Sequence, residues 1–285
     1  MNAESAVTTP TRFVEAGGVR FAYRRLNEGA GVPLLFTQHF MGNLDTIDPV
    51  ILDSFAATRD VIWFDTAGIG SSSGGPKSTI ADITADAAVF AQALGLTRSD
   101  LLGHSMGGQV AQWLTYTHPE LIRRLILVGT SPRAGVLTDP ADGVAALFAA
   151  GPNTNDELWL PIFFSPTEKS QAAGRKYVDR VGSRADRDIP FSAEAVRTYS
   201  AARVEWGTPD AHGQDYLAAI TAPTLVVNGS DDIVIPTVNS FTLQQKITNA
   251  KLLLYPDSGH GVHFQYPEDF VAEATRFLNQ GEELN

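Results

Sequence analysis

Short apolar runs alternate with longer segments of helical periodicity along most of this chain. Pro33–Gln38, Val61–Asp65 and Leu125–Val128 are apolar runs bounded by turn residues, as expected for buried strands. Phe13–Ala16 and Val19–Arg25, separated by two glycines, predict an opening hairpin. Because helical segments fall between the later runs, the pattern predicts an α/β fold. Its sheet should be mostly parallel and doubly wound, with helices on both faces.

Three of the helical segments have clear bounds. Ile80–Leu94 follows a serine and a threonine that can cap its first turn. Val238–Lys246 and Pro267–Asn279 predict later helices, the second of which begins with proline. The apolar runs Pro223–Val227 and Lys251–Tyr255 predict the strands that precede them.

The pattern changes between residues 132 and 215. Strand-like runs disappear there, and weak helical segments are interrupted by glycine and proline. This predicts a core of residues 1–131 and 216–285 that carries a helical insertion, residues 132–215. Four large aromatic residues of the insertion either form its own core or line an apolar pocket: Trp159, Phe163, Phe164 and Trp206.

The composition permits a large core and excludes several classes of function. The chain has 285 residues, of which 44% are hydrophobic and 19% charged, and this favours one large domain with an insertion. A formal net charge of −11 argues against a nucleic-acid partner, because such binding needs lysine and arginine to neutralise phosphates. The absence of cysteine excludes disulfides, thiol catalysis and thiolate metal sites.

No targeting or membrane signal is present. The segment Met1–Thr11 has neither a basic start nor an apolar stretch, so it is not predicted to be a signal peptide. No apolar stretch reaches the ~18 residues that a membrane-spanning helix needs. We therefore expect a cytoplasmic protein without a membrane partner. No coiled-coil pattern or apolar stripe predicts an oligomeric state.

The strongest chemical signal is the pentapeptide Gly103-His104-Ser105-Met106-Gly107, of the form Gly-x-Ser-x-Gly. Its left flank, Asp100–Leu102, predicts a short strand, and its right flank, Gln109–His118, predicts a helix. A serine on such a turn is held in a strained conformation that lifts its hydroxyl clear of the sheet edge. A Cβ atom at either glycine would collide with the neighbouring strand and helix. This serine is therefore a candidate nucleophile.

A serine hydroxyl needs a base to remove its proton, and the six histidines of the chain are the candidate bases. His260 has glycine on both sides and lies shortly after the apolar run Lys251–Tyr255. The glycines permit a turn and should leave room for substrate, which favours His260 over His263. His118, at the end of a helix, and His212, in a polar loop, are assigned no catalytic role.

A third residue must hold the imidazole and stabilise its protonated form. Asp231 and Asp232 both follow the buried run Pro223–Val227. The spacing from Gly229 and to Pro236 favours Asp232. The order serine, aspartate, histidine along the chain is the order that α/β-hydrolases require.

The chain resembles the α/β-hydrolase superfamily, in its serine-nucleophile esterase and haloperoxidase-like branch, from about Phe13 to Leu278. Five motifs carry the resemblance: Leu34–Phe40 with Gly42, Phe64–Ser72, Gly103–Gly108, Asn228–Pro236 and Asp257–His260. The resemblance implies an α/β-hydrolase fold with a catalytic triad of Ser105, Asp232 and His260. It also implies that the insertion is a helical cap over the active site.

One motif departs from the family pattern. The family usually has His-Gly-aromatic after the third strand, and the backbone N–H of the aromatic residue forms half of an oxyanion hole. Gln38-His39-Phe40 stands there in this chain. The resemblance therefore assigns the oxyanion hole to Phe40 and Met106. The missing glycine leaves the His39 side chain near the site, either as a packing substitution or as an additional contact to substrate.

The resemblance implies a carboxylic ester hydrolase that cleaves a small to medium apolar ester or lactone through an acyl-enzyme. It implies no cofactor and no metal. A cofactor-free perhydrolase or haloperoxidase-like activity and carbon–carbon bond hydrolysis are alternatives on the same fold. Dehalogenases and epoxide hydrolases are disfavoured, because they use an aspartate where this chain has Ser105. A hydrolase-like ligand-binding receptor is the non-enzyme alternative.

Overall fold

The computed structural model describes residues 4–136, 158–211 and 213–280. The strands in these residues are β1 (Arg12–Ala16), β2 (Val19–Leu26), β3 (Leu34–Thr37), β4 (Val61–Phe64), β5 (Ser99–His104), β6 (Ile122–Val128), β7 (Thr224–Gly229) and β8 (Ala250–Tyr255). They form one sheet in the order β1-β2-β4-β3-β5-β6-β7-β8. Strand β2 is antiparallel to both of its neighbours, and the other pairs are parallel. The α/β-hydrolase fold class predicted from the sequence is thereby confirmed.

The helices of the described residues lie between and beyond these strands. They are α1 (Pro49–Ala56), α2 (Ile80–Ala93), α3 (Met106–Thr117), α4 (Trp159–Phe163), α5 (Glu168–Val181), α6 (Ala193–Gly207), a 3₁₀ helix (Asp215–Ala219), α7 (Val238–Lys246), α8 (Val262–Gln265) and α9 (Pro267–Leu278). Helices α4, α5 and α6 lie in the segment predicted to be the insertion. Residues 137–157 and His212 of that segment lie outside the described residues. The boundaries of the insertion remain a prediction.

Local signals account for most of these elements. Strands β3 and β4 are buried at every position, which explains their continuous apolar sequence. Helix α2 begins at a cap in which the Thr79 hydroxyl accepts the Asp82 amide at 3.1 Å. Helix α3 begins at Met106, three residues before the predicted start at Gln109. Two glycines in its first turn have weak helical propensity, so the sequence pattern did not indicate that turn. Helix α1 has a proline-led first turn capped by Asp48, a signal that the sequence reading missed.

The topology places the candidate residues at the carboxyl-terminal ends of the parallel strands. Ser105 follows β5, Asp232 follows β7 and His260 follows β8. These strands are parallel, so the loops after them leave the sheet at the same edge. Ligands of open α/β sheets bind at that carboxyl-terminal edge.

Candidate active site

The turn after β5 holds Ser105 in a conformation that few non-glycine residues adopt. Its φ is 56° and its ψ is −121°, a backbone strain of about 1–3 kcal/mol. An added Cβ at Gly103 would lie 2.7 Å from the Ala111 Cβ of α3, and one at Gly107 would overlap the backbone of Thr37 at the end of β3. The collisions expected from the sequence are therefore present. They confine the turn between β3 and α3.

Residues that directly follow the neighbouring strand β6 also hold this turn in place. The hydroxyl of Thr130, which follows β6, donates to the Ser105 carbonyl at 2.7 Å. An added Cβ at Gly129 would lie 3.2 Å from the Nδ1 atom of His260. Neither residue was predicted from the sequence to be functional. Their position, directly after the buried strand beside Ser105, is the signal that could have identified them.

Ser105, His260 and Asp232 are joined by two hydrogen bonds. The Ser105 Oγ lies 2.8 Å from His260 Nε2, and His260 Nδ1 lies 2.8 Å from Asp232 Oδ2. Because Asp232 accepts at Nδ1–H, the Nε2 lone pair faces the serine hydroxyl. All three side chains are buried. The geometry matches that of a nucleophile with a base and an orienting acid.

Asp232 is fixed by the backbone of its own loop. Its Oδ1 atom accepts the amides of Val234 and Ile235 at 2.8 and 2.9 Å, which leaves Oδ2 for His260. A Cβ at Gly229 would overlap the Ser258 carbonyl, so this glycine lets the loops after β7 and β8 touch. The separation of Asp232 from His260 is thereby set by the backbone.

The glycines beside His260 serve a different purpose from the one expected. They were expected to leave room for substrate, but Phe163 of α4 occupies that space. An added Cβ at Gly261 would lie 2.5 Å from the Phe163 Cβ, and one at Gly259 would lie 2.9 Å from the Phe163 carbonyl oxygen. The Gly261 amide also donates to that carbonyl at 2.8 Å. These glycines thus seat α4 on the His260 loop.

The two rival residues point elsewhere. His263 lies in the short helix α8, where its ring centroid is 3.8 Å from that of Phe264 and 4.4 Å from that of His104. Asp231 is exposed and accepts the Ser230 hydroxyl at 3.0 Å. Neither has a hydrogen bond to Ser105 or His260 among the described residues.

The residues expected to form the oxyanion hole lie in two segments, the start of α3 and the turn after β3. Met106 is the first residue of α3, where backbone N–H groups have no partner within the helix. Phe40 lies in a turn closed by the Gly42 amide, which donates to the His39 carbonyl at 2.9 Å. Met41 in that turn has a φ of 63°. The guanidinium of Arg203, on α6, lies 4.9 Å above the Phe40 ring.

The four large aromatic residues of the predicted insertion differ in their contacts. Trp159 and Phe163 stack on each other with centroids 5.0 Å apart, and their centroids lie 4.9 and 5.1 Å from that of His39. Phe163 also lies 5.9 Å from the His260 ring.

The other two aromatics pack away from His260. Phe164 packs on Tyr177 at 5.9 Å. Trp206 packs on Trp113 and Tyr216 at 6.0 and 5.8 Å. Of the four, Phe163 alone has a ring contact with His260 among the described residues, and Trp159 stacks on Phe163 beside His39.

Four buried histidines crowd around this site: His39, His104, His260 and His263. Burial lowers the pKa of His39 from 6.5 to about 4. Burial, together with the neighbouring imidazoles, also lowers the pKa of His104 and of His263 well below the ordinary histidine value of 6.5. These three rings are therefore neutral at pH 7.

The neutral histidines predict a loss of stability in mild acid. A pKa of about 4 for His39 means that between pH 6.5 and 4 the unfolded chain binds a proton that the folded chain does not. The contribution of each such ring to the free energy of unfolding is fully present above pH 6.5. As the pH falls below 6.5, that contribution decreases by roughly 1.4 kcal/mol per pH unit. When the pH is lowered from 6.5 to 5, the free energy of unfolding of His39→Gln should therefore decrease by roughly 2 kcal/mol less than that of wild type. Urea unfolding at the two pH values measures this difference.

The control for this prediction is His118→Gln, at the partly exposed end of α3. It should keep the wild-type slope. Burial raises the pKa of Asp65 well above 3.8, with Asp188 adding to the rise, and this group acts in the opposite direction. The comparison is therefore made between variants. Equal slopes in His39→Gln and wild type would contradict the prediction.

Residues 4–136, 158–211 and 213–280 contain neither a candidate metal site nor a candidate membrane-spanning helix. No group of three or more histidine, cysteine, aspartate or glutamate side chains is placed there to hold a metal ion. No helix in those ranges is long and apolar enough to cross a membrane.

Comparison with known proteins agrees with the fold seen in the structure. A family model described as alpha/beta hydrolase fold matches residues 33–267. The chain is similar to a 2-hydroxymuconate semialdehyde hydrolase of Pseudomonas sp. (strain CF600), with 28% identity over 99% of this chain and 98% of that protein.

Two solved structures extend the comparison. An alpha/beta hydrolase fold protein from Chitinophaga pinensis is 36% identical with a TM-score of 0.89, over 97% of this chain and 100% of that one. An N-acyl homoserine lactone degrading enzyme is 25% identical with a TM-score of 0.73, over 93% of this chain and 100% of that one.

Proposed function

This chain belongs to the alpha/beta hydrolase fold family, and from that premise we propose that it is a serine hydrolase of small to medium apolar carboxylic esters or lactones. The observation that carries the proposal is the series of hydrogen bonds from Ser105 through His260 to Asp232, each 2.8 Å long. The fold hosts many reactions and does not select one. The series favours reactions that need an activated serine oxygen, because a base beside the hydroxyl makes it a nucleophile.

In the proposed reaction the Ser105 Oγ attacks the carbonyl carbon of the ester while its proton passes to His260 Nε2. The tetrahedral intermediate then expels the alcohol, whose oxygen takes that proton, and the acyl group stays on Ser105. A water molecule attacks the acyl-enzyme by the same route, which releases the acid and restores the serine. Asp232 holds the imidazole in the required tautomer and stabilises its charged form.

The negative oxygen of each intermediate needs hydrogen-bond donors. We assign this role to the backbone N–H groups of Phe40 and Met106. The Met106 amide lies at the positive end of α3, which adds a favourable field for a negative oxygen. Both donors belong to the backbone, so the departure at Gln38 and His39 leaves this part of the mechanism intact.

Carbon–carbon bond hydrolysis is the second candidate, favoured by the similarity to a semialdehyde hydrolase of Pseudomonas. Labelling with a serine-directed fluorophosphonate tests the nucleophile, and a panel of chromogenic esters and lactones tests the bond. Hydrogen peroxide as a competing acceptor detects perhydrolase activity. A protein that is labelled at Ser105 but cleaves none of the esters and lactones would favour the second candidate. Failure to label Ser105 would favour a ligand-binding receptor.

Trp159 and Phe163 predict a chain-length optimum. Burying one additional methylene is worth about 0.8 kcal/mol, or roughly a fourfold rise in kcat/KM, until the pocket is full. Trp159→Ala should shift the optimum toward longer chains, because its indole lies 4.9 Å from the His39 ring beside the site. The profile is measured with p-nitrophenyl esters of increasing acyl length.

The control is Trp206→Ala, which removes an indole packed on Trp113 and Tyr216. It should lower the melting temperature and leave the chain-length profile unchanged. If Trp159→Ala also left the profile unchanged, Trp159 would have a packing role only.

A further inference from the structure

His104, the residue directly before Ser105, lies at the centre of the buried histidine cluster. It is the last residue of β5, where its backbone pairs with Val128 of β6, and it is 3% exposed. Packing against neighbours on several sides holds such a ring in one orientation. Its ring centroid lies 4.4 to 5.5 Å from those of five other rings: His39, Phe163, His260, His263 and Phe264.

One nitrogen of the His104 ring is hydrogen-bonded to the backbone of His260. The Nε2 atom lies 3.1 Å from the His260 carbonyl oxygen, and because a carbonyl only accepts, Nε2 carries the proton. Burial, followed by the neighbouring imidazoles, lowers the pKa of His104, so the ring is neutral and Nδ1 carries the lone pair. That Nδ1 atom is buried and has no partner among the described residues. An apolar side chain would fill the same space without the cost of an unpaired buried nitrogen.

The residues on either side of His260 have hydrogen bonds of their own. The Ser258 carbonyl accepts an amide of the loop after β7 at 2.9 Å, and the Gly261 amide donates to the last carbonyl of α4 at 2.8 Å. No backbone amide in the described residues donates to the His260 carbonyl, which receives its hydrogen bond from the His104 ring. Without that ring the buried carbonyl would lose its donor, and the loop could shift toward another one.

His260 is therefore held at three atoms. Its Nδ1 atom is bonded to Asp232 and its Nε2 atom to Ser105, each at 2.8 Å, and its carbonyl oxygen is bonded to His104. Because His104 and Ser105 are adjacent in the chain, the serine hydroxyl and the donor that holds the His260 backbone share one rigid segment. A general base acts only while its nitrogen stays within hydrogen-bond reach of the proton that it takes.

We propose that His104 is a positioning residue of the active site, whose Nε2–H holds the backbone of His260 where the imidazole reaches both Ser105 and Asp232. It acts through His260 and takes no part in the proton transfer. The proposal rests on the proposed function, because it requires His260 to be the base that activates Ser105. It explains why an imidazole with an unpaired nitrogen occupies the centre of a cluster of rings.

His104→Met tests the proposal, because it removes the donor and keeps a side chain of similar size. The kcat for the best ester should fall about 30- to 100-fold, since a misplacement of roughly 1 Å between reacting groups has an effect of that order. KM should stay within about twofold of wild type, because the change affects the base and not the binding of the ester. Steady-state kinetics measure both constants.

His104→Gln is the conservative variant that should restore activity. Its amide nitrogen is as many bonds from Cβ as the Nε2 atom of histidine, so it can donate to the same carbonyl. The kcat should return to within about fivefold of wild type. His104→Asn, whose amide nitrogen ends one bond short of that position, should lose as much activity as His104→Met, and it replaces His104→Met if that variant does not fold.

His263→Met is the matched control in the same cluster. The His263 ring is buried and lies 4.4 Å from the His104 ring, but it has no hydrogen bond to His260 in the part of the chain that the structure describes. This variant should lower the melting temperature about as much as His104→Met, because both open the same packed cluster. Its kcat should stay within about threefold of wild type.

The His260→Ala background separates positioning from a general loss of folded protein. The base is absent there, so adding His104→Met should lower the residual turnover less than about twofold. A substitution that only reduced the folded fraction would lower turnover equally in both backgrounds.

The outcomes distinguish this inference from the proposed function. If a fluorophosphonate labels Ser105 and esters are cleaved, but His104→Met keeps the wild-type kcat, the inference is wrong and the proposed function stands. The same holds if His104→Gln loses as much activity as His104→Met, or if the losses are equal with and without His260. If the wild-type protein is neither labelled at Ser105 nor active on any ester or lactone, the proposed function is wrong and the inference falls with it.

Discussion

Replacing Ser105 with alanine should lower kcat by about 10⁴- to 10⁶-fold, because removal of the nucleophile leaves only the oxyanion donors and substrate binding. The fold should survive, since the contacts that hold the turn run through the Ser105 backbone. Its amide donates to the Val128 carbonyl at 2.9 Å, and its carbonyl accepts the Thr130 hydroxyl. The measurement is steady-state hydrolysis of the best ester, with a thermal melt to confirm folding.

Ser258→Ala is the matched control. Ser258 is fully buried in the His260 loop, and its hydroxyl has no partner in the part of the chain that the structure describes. Removing that hydroxyl should change kcat less than threefold and should not prevent fluorophosphonate labelling of Ser105. A Ser105→Ala protein that retained more than a tenth of wild-type turnover would contradict the serine mechanism.

The sequence predicted those features that depend on local geometry. The sequence predicted that neither Gly103 nor Gly107, the glycines that flank Ser105, has room for a Cβ, and the collisions with Ala111 and Thr37 show why. Apolar runs bounded by turns located the central strands, because a strand buried on both faces must be apolar at every position. The fold class followed from the alternation of strands and helices.

Features that depend on contacts distant in sequence were not predictable. The glycines beside His260 were interpreted as space for substrate, whereas Phe163, far away in the chain, occupies that space. The burial of His39, His104 and His263 around one site depends on three separate segments meeting. A cavity lined by Thr37, Phe64, Met106 and Tyr199 is likewise built from the ends of two strands and from helices distant in sequence, and no local pattern indicates it.

The assignment of the base is tested by His260→Ala and His263→Gln. The first should lower kcat about 10⁴-fold or more, because the serine loses the group that takes its proton. The second should affect turnover far less, since the His263 ring packs on Phe264 and has no hydrogen bond to Ser105 in the described residues. His263→Gln should instead lower the melting temperature, because it opens a well-packed aromatic cluster. Reversed severities would transfer the role of base to His263.

The adjacent aspartates offer the sharpest comparison, because the same substitution can be made at neighbouring positions. Asp232→Asn should lower kcat by about 10⁴-fold, since an amide that donates to His260 would favour the tautomer with its proton on Nε2, facing Ser105. Asp231→Asn, at an exposed carboxylate bonded only to Ser230 among the described residues, should stay within about twofold of wild type. Both variants remove one negative charge and nearly preserve volume, so a change in net charge or loop packing cannot produce the difference. Equal losses in the two variants would mean that the loop tolerates no amide at all. A loss confined to Asp231→Asn would show that the orienting acid had been assigned to the wrong neighbour.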